Sequence, residues 1–490
     1  MHLRQLNASL LPLLFAVPAL AETQEQQLIP LFQQPFAAAG SSVAVHQTSN
    51  DNPEYPPPPA ALWAGAPFAT AGARGSGLVH AWSFSALQGG TWSYAFSLSS
   101  SSPQPGALFG SSVAVTPTAT GGSYVFLMVG SPGHRNSVAN SSASARRFGM
   151  AEVFTVSVQN PTNSVSQMLT PSELAADDAF GSSVALSSTL PSANPSYFAL
   201  ASAPGRDIDG IADAGAVTMF RRTGGNPFTL FATLALPEPA PYDRLGRAAL
   251  ASTGTACFAS MDRGDGGVAI FDITGATSFT SILPPPDAQS HGFGAALSAD
   301  GELLVVGAPG AYGKPADTGV VHIFRASAPY DLLLTIPSPW PQECAGFGSA
   351  VSLERHVLVV STAQGSESLA SGSVAIYSVL ANGAAATLIG TLAQPGENGF
   401  GAAVATSGGH VAVGVPGGSA QVAGAVTVLD EVRTKSPDLN HDGIVNGADL
   451  GMLIAKFTSG LVEIPEDLNS DLQVNGADLA ILLGAWGTSG

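Results

Sequence analysis

One short pattern returns seven times along this chain, and any fold must treat it as a repeated unit. Its fullest copy is residues 293–324, FGAALSADGELLVVGAPGAYGKPADTGVVHIF. A Phe-Gly start leads two short apolar runs, AALS and LLVVGAP, then a polar Gly/Pro loop and a closing GVVHIF. Runs of four to seven small or β-branched residues bounded by Gly, Pro, Asp and Ser are too short for helices and read as strands. Strands this short cannot bury a core alone, so the unit has to pack against copies of itself.

The start recurs as FGSSVAV from Phe109, FGSSVAL from Phe180, FGSAVSL from Phe347 and FGAAVAT from Phe400, with weaker copies from Ala39 and Leu245. The second element recurs as WAGAP, VGSP, ASAP and VGVP, and degrades to FASM and VVST in the fourth and sixth copies. The third recurs as GLVHAW, MAEVF, GAVTMF, GGVAIF, GSVAIY and GAVTVL. The start glycines, from Gly40 to Gly401, are 70, 71, 65, 48, 54 and 53 residues apart.

This pattern resembles the FG-GAP repeat family, over residues 28–432. The resemblance implies a seven-bladed β-propeller like the head of integrin α-chains, a scaffold that hosts many unrelated functions. Many relatives carry an Asp-rich calcium loop between their first two strands. Here that connection reads SADGE or TSGGH, so propeller calcium is not implied.

Residues 28–32, LIPLF, precede the first start and look like the fourth strand that ends other repeats, such as LLLTIP from Leu332. The last repeat ends at VTVLDEV without one. The N-terminal strand is therefore expected to complete blade seven, removing two open sheet edges.

Residues 1–21 combine Arg4, an apolar stretch from Leu10 to Leu20 and an Ala-Leu-Ala end, which reads as a secretory signal cleaved near Ala21. Pro12 and Pro18 and the short length argue against a membrane anchor, and no later run is long enough to span a bilayer. The expectation is a secreted or cell-surface protein with no integral membrane segment. Only 11% of residues are charged, while 56 Gly and 36 Pro suit many strands and tight turns. A net charge of −18 argues against a nucleic-acid partner. Cys257 falls in the second strand of blade four and Cys344 just before blade six, so a disulfide between them would skip a blade, and Cys257 reads as a small core residue.

Family propellers present partners on the face made by loops between strands two and three and by the inter-blade connections. Here that face gathers His134, Arg135, Arg146 and Arg147 from blade two, Arg206, Asp207 and Asp209 from blade three, and Tyr312 and Lys314 from blade five. A basic cluster on so acidic a protein suits an anionic ligand such as an acidic glycan; solvated loop charge is the alternative. The run from Arg206 through Asp213 is spaced like part of a calcium loop but follows the wrong element, so it reads as a turn. Arg263-Gly264-Asp265 spells an integrin-recognition tripeptide, a match short enough to arise by chance. No nucleophile elbow, zinc-protease or phosphate-loop motif occurs, and no catalytic residue is assigned.

Beyond Val432 the character changes. Residues 438–449 read DLNHDGIVNGAD and residues 467–478 read DLNSDLQVNGAD, 29 residues on. In the first, Asp438, Asn440, Asp442, the Ile444 carbonyl, Asn446 and Asp449 fall at positions 1, 3, 5, 7, 9 and 12 of an EF-hand-type loop. Asp467, Asn469, Asp471, the Gln473 carbonyl, Asn475 and Asp478 repeat the set. Leu472 stands where the sharp turn prefers Gly, which weakens the second site. Apolar residues at helical spacing follow each loop: Leu450, Leu453, Ile454 and Phe457, then Leu479, Leu482, Leu483 and Trp486.

A calcium loop followed by one helix, present twice near a C-terminus, is similar to the type I dockerin family. That resemblance implies two bound calcium ions and a cohesin-like partner recognised through loop positions 10 and 11, here Gly447, Ala448, Gly476 and Ala477. Relatives often carry hydroxyl or charged residues there.

The expected organisation is a signal peptide (1–21), a mainly β seven-bladed propeller (22–432), a linker (433–437) and a small all-α calcium-binding dockerin-like module (438–490). Three functions follow. The first is an exported non-catalytic binding or structural protein, with the propeller as platform for a glycan or protein ligand. The second is a dockerin-tethered carbohydrate-active enzyme acting in polysaccharide breakdown. The third is a cell-surface adhesin.

Overall fold

A computed structural model describes residues 25–31, 34, 37–47, 60–85, 91–117, 124–135, 147–157, 164–171, 173–189, 195–274, 277–287, 290–310, 318–340, 346–362, 372–394, 399–417, 423–430, 439, 445–457, 468, 474–484 and 486–487. The expected leader, Cys344 and the two longest inter-strand loops, in blades one and two, lie outside these residues. Within them no helix is long and apolar enough to cross a membrane.

Seven four-stranded antiparallel sheets make a seven-bladed β-propeller. Each repeat supplies the first strand from the Phe-Gly start, the second from the GAP element and the third from the GVVHIF element. In blade five these are Ala296–Asp300, Leu303–Ala308 and Val320–Arg325, with Leu332–Pro337 on the outer edge. The second strands are buried on both faces, as expected of strands between two neighbouring blades. The fourth strands alternate exposed and buried, as in Ser278–Leu283.

Steric contact between blades explains why the motif recurs. Phe109, Phe180, Phe293, Phe347 and Phe400 are all fully buried. The amide of Phe109 donates to the Ser76 carbonyl of the preceding blade at 3.0 Å, and that of Phe293 to Asp265 at 3.0 Å. Gly110 follows with φ 93°, a left-handed conformation that glycine adopts without strain. Its amide reaches the Gly130 carbonyl of its own blade at 3.1 Å. Gly130 in turn leaves no room for a side chain, because a Cβ there would lie 2.0 Å from the Gly181 carbonyl oxygen of blade three.

The third copy and the two degraded ones solve the same contact differently. Ser202, Ser260 and Ser361 replace that glycine, and their hydroxyls accept from first-strand amides: Ser183 at 3.0 Å, Ala249 at 2.9 Å and Ala350 at 3.1 Å. Cys257 lies in the second strand of blade four and is fully buried, as read from sequence.

Ring closure follows the expected plan with one correction. The N-terminal strand does complete blade seven, but it is Glu25–Leu28, pairing antiparallel with Ala425–Leu429. It is not residues 28–32. Leu28 is the buried end of the strand, whereas Ile29 and Leu31 beyond it are exposed. The physical reason is alternation: EQQL places one apolar residue inward, the pattern of the other outer strands, and Pro30 has no amide to donate to a ladder.

Side chains seal the seam. The Gln26 amide exchanges two hydrogen bonds with the Trp92 backbone of blade one, at 3.0 and 3.1 Å. Gln167 does the same with Phe228 between blades two and three, at 2.6 and 2.9 Å. Trp92 Nε1 also donates to Asp430 at 2.8 Å, and His410 Nδ1 meets the same carboxylate oxygen at 2.6 Å. The His410 ring packs edge-on against Trp92 and Phe84.

After Asp430 come two nine-residue helices, α1 (Gly447–Ala455) and α2 (Gly476–Gly484). They share a small core of Leu439, Val445, Leu453, Leu468, Val474 and Leu482. Of the apolar residues expected to pack, Leu450 and Leu479 are half-buried, while Ile454, Phe457, Leu483 and Trp486 are exposed. The residues just before each helix, Val445 and Val474, take the inner places instead.

Candidate binding and metal sites

In the C-terminal module, loop positions 9 and 12 are described in both copies and are joined by the same amide–carboxylate bond. Asn446 caps α1: its side chain accepts from the Ala448 amide at 2.8 Å, and its own amide donates to Asp449 Oδ2 at 2.8 Å. The second copy repeats the amide–carboxylate bond, Asn475 N to Asp478 Oδ2 at 2.7 Å. Both carboxylates are fully buried at the start of their helices, where the helix dipole favours negative charge. The other eight ligand positions, Asp438, Asn440, Asp442, Ile444, Asp467, Asn469, Asp471 and Gln473, lie outside the described residues. Among those described, no three His, Cys, Asp or Glu converge to hold a metal.

The all-oxygen donor set read from the sequence suits a hard cation such as calcium, and a buried carboxylate held at each helix start fits that role. Gly447, Ala448 and Gly476 are exposed in the first turns of α1 and α2, and Ala477 lies beside Gly476.

On the propeller, the structure sharpens the basic cluster and thins it. Arg206 is engaged by Glu173, Nη2 to Oε2 at 2.7 Å. Asp207 Oδ1 accepts from the Asp213 amide at 3.0 Å, Ile208 and Ile211 form an antiparallel bridge, and Asp209 has φ 52°. That segment is a turn, as its position in the repeat indicated. Arg146, Tyr312 and Lys314 lie outside the described residues.

What remains is in blade two. Arg135 and Arg147 face each other as an antiparallel bridge pair. The Arg135 amide donates to Gln104 Oε1 at 2.9 Å, and the Arg147 carbonyl accepts from the Asp177 amide at 2.6 Å. His134 beside them is half-buried. Desolvation lowers its pKa, with the Ser102 carbonyl and the Glu152 carboxylate pulling the other way.

Several groups that matter were not visible in sequence. Asp178 and Asp243 are buried two residues before a repeat start, and each carboxylate accepts an amide three residues back, from Ala175 at 2.8 Å and Ala240 at 2.6 Å. Burial pushes the Asp178 carboxyl pKa up. Asp243 receives both Nε and Nη2 of Arg263, at 2.9 and 2.5 Å. The Arg-Gly-Asp tripeptide is thus engaged within the fold, since Asp265 also meets His291 Nδ1 at 3.0 Å.

Ser290 Oγ lies 2.9 Å from His322 Nε2, a nucleophile–base distance. Both residues are fully buried, and His322 Nδ1 is 2.9 Å from Thr335 Oγ1, so the trio reads as an internal hydrogen-bond chain. His80 makes the matching cross-strand contact in blade one, with Ser97 at 2.8 Å. No protein-family model matches the chain, and no curated protein matches it.

Proposed function

We propose that this chain is an exported, non-catalytic binding or structural protein whose propeller, of FG-GAP type, presents a ligand and whose C-terminal module docks it to a partner. The observation that carries this reading is the duplication at the C-terminus. Two loop–helix units share their ligand pattern, their Asn–Asp caps and one small core. Ile454 and Leu483, and likewise Phe457 and Trp486, are exposed equivalents 29 residues apart, which gives the module a repeated apolar surface. Such a surface suits a dockerin-like module whose partner is cohesin-like.

Calcium is the expected organiser. Each loop carries three Asp residues in its sequence, and nine-residue helices are too short to persist unaided, so metal-binding free energy would become folding free energy. Calorimetry on the full chain should show uptake of two calcium ions with a gain in helical signal. Replacing Asp438 and Asp442 by Ala should remove the first ion and leave the sheet signal unchanged. Full helicity in chelator, or no uptake, would refute the module's role.

A further inference from the structure

Arg135 and Arg147 occupy directly opposed positions in their bridge, where neighbouring Cβ atoms lie close and like charges repel. Among the described residues neither guanidinium has a carboxylate partner, unlike Arg206, Arg244, Arg247 and Arg263. Arg135 Nε is buried without an acceptor, and His134 Nε2 is buried without a partner. Arg147 is exposed, so the pair opens to solvent on one side. Two arginines at opposed bridge positions, one of them with an unmet buried donor, are an arrangement that an oxyanion between them would relieve.

We propose that this pair is an anion clamp on the propeller for a single carboxylate of an acidic sugar, a uronate. The surroundings select the class. The Asp177 amide bonds the Arg147 carbonyl, and Asp177 is exposed, so a carboxylate-bearing residue adjoins the clamp. Its carboxylate can accept from hydroxyls and repels a second close anion. A unit with one carboxylate flanked by hydroxyls fits, and a phosphopeptide with densely packed charge does not.

The inference rests on the propeller's being a ligand platform, and its test is independent of the C-terminal module because it is run in chelator. Trigalacturonate should bind the full chain measurably by calorimetry, neutral galactotriose should not, and R147Q should weaken uronate binding at least tenfold. Because R147Q removes one of two like charges at opposed bridge positions, its Tm should equal or exceed that of the parent; a merely structural arginine would lower it. R135Q should weaken binding similarly. Unchanged affinity in both variants, no uronate binding by the folded parent at millimolar concentration, or tighter binding of a phosphopeptide would overturn the assignment.

Discussion

His80 shows how a single buried side chain ties stability to acidity. It is 2% exposed, and desolvation pushes its pKa down to about 4, so the folded propeller holds it neutral. The unfolded chain takes up that proton near pH 6.5, which means stability is intact above 6.5 and is lost as pH falls toward 4. At about 1.4 kcal/mol per pKa unit the loss approaches ~3 kcal/mol for this residue alone. Thermal melts across that window should therefore slope downward toward acid, and H80N should flatten the slope whatever its effect at neutral pH. Gly130 makes a steric case of the same kind. A methyl group there meets backbone of the next blade at 2.0 Å, and backbone cannot swing aside as a side chain can. G130A should cost at least about 2–3 kcal/mol, by analogy with overpacked cores, whereas S202G should cost about 1 kcal/mol, one net hydrogen bond. Denaturant melts of the two variants would rank them.

Among elements, the four-residue strand Glu25–Leu28 has an influence out of proportion to its length. It gives Ala425–Leu429 a partner on its second side and, through Gln26, grips blade one. Deleting residues 22–28 should lower Tm by several degrees and expose an edge that promotes association, readable by scanning calorimetry and light scattering; an unchanged Tm would mean the strand is decorative. The outer strands that remain at the rim carry few charges. Their protection is geometric, since the pairing of third with fourth strand slips register in five blades, between Ala81 and Trp82 and at the matching places in blades three to six. Such bulges twist an edge away from flat pairing. The closure itself was legible in LIPLF only approximately, because an apolar run draws the eye to residues 28–32 while the ladder needs alternation and amides, which EQQL supplies.

Across the whole molecule, the blades were readable because one inter-blade contact repeats: a left-handed Gly in all seven copies, preceded by a buried Phe in five, and a second Gly facing the next blade's carbonyl in four, with Ser in the other three. What pairs across blades left no such trace. Nothing local to Arg263 announces Asp243, nothing near Trp92 announces Asp430, 338 residues on, and the loop between Arg135 and Arg147 hides that they face each other. The closing strand also sets a clock. Leu28 pairs with Val426, so roughly 400 residues of synthesis separate the two halves of that ladder; at about 5–20 residues per second, the first strand waits on the order of 20–80 s for its partner to be made. Throughout that interval the nascent chain is an open arc with its earliest strand unpaired, and the order of translation decides when the ring can first exist.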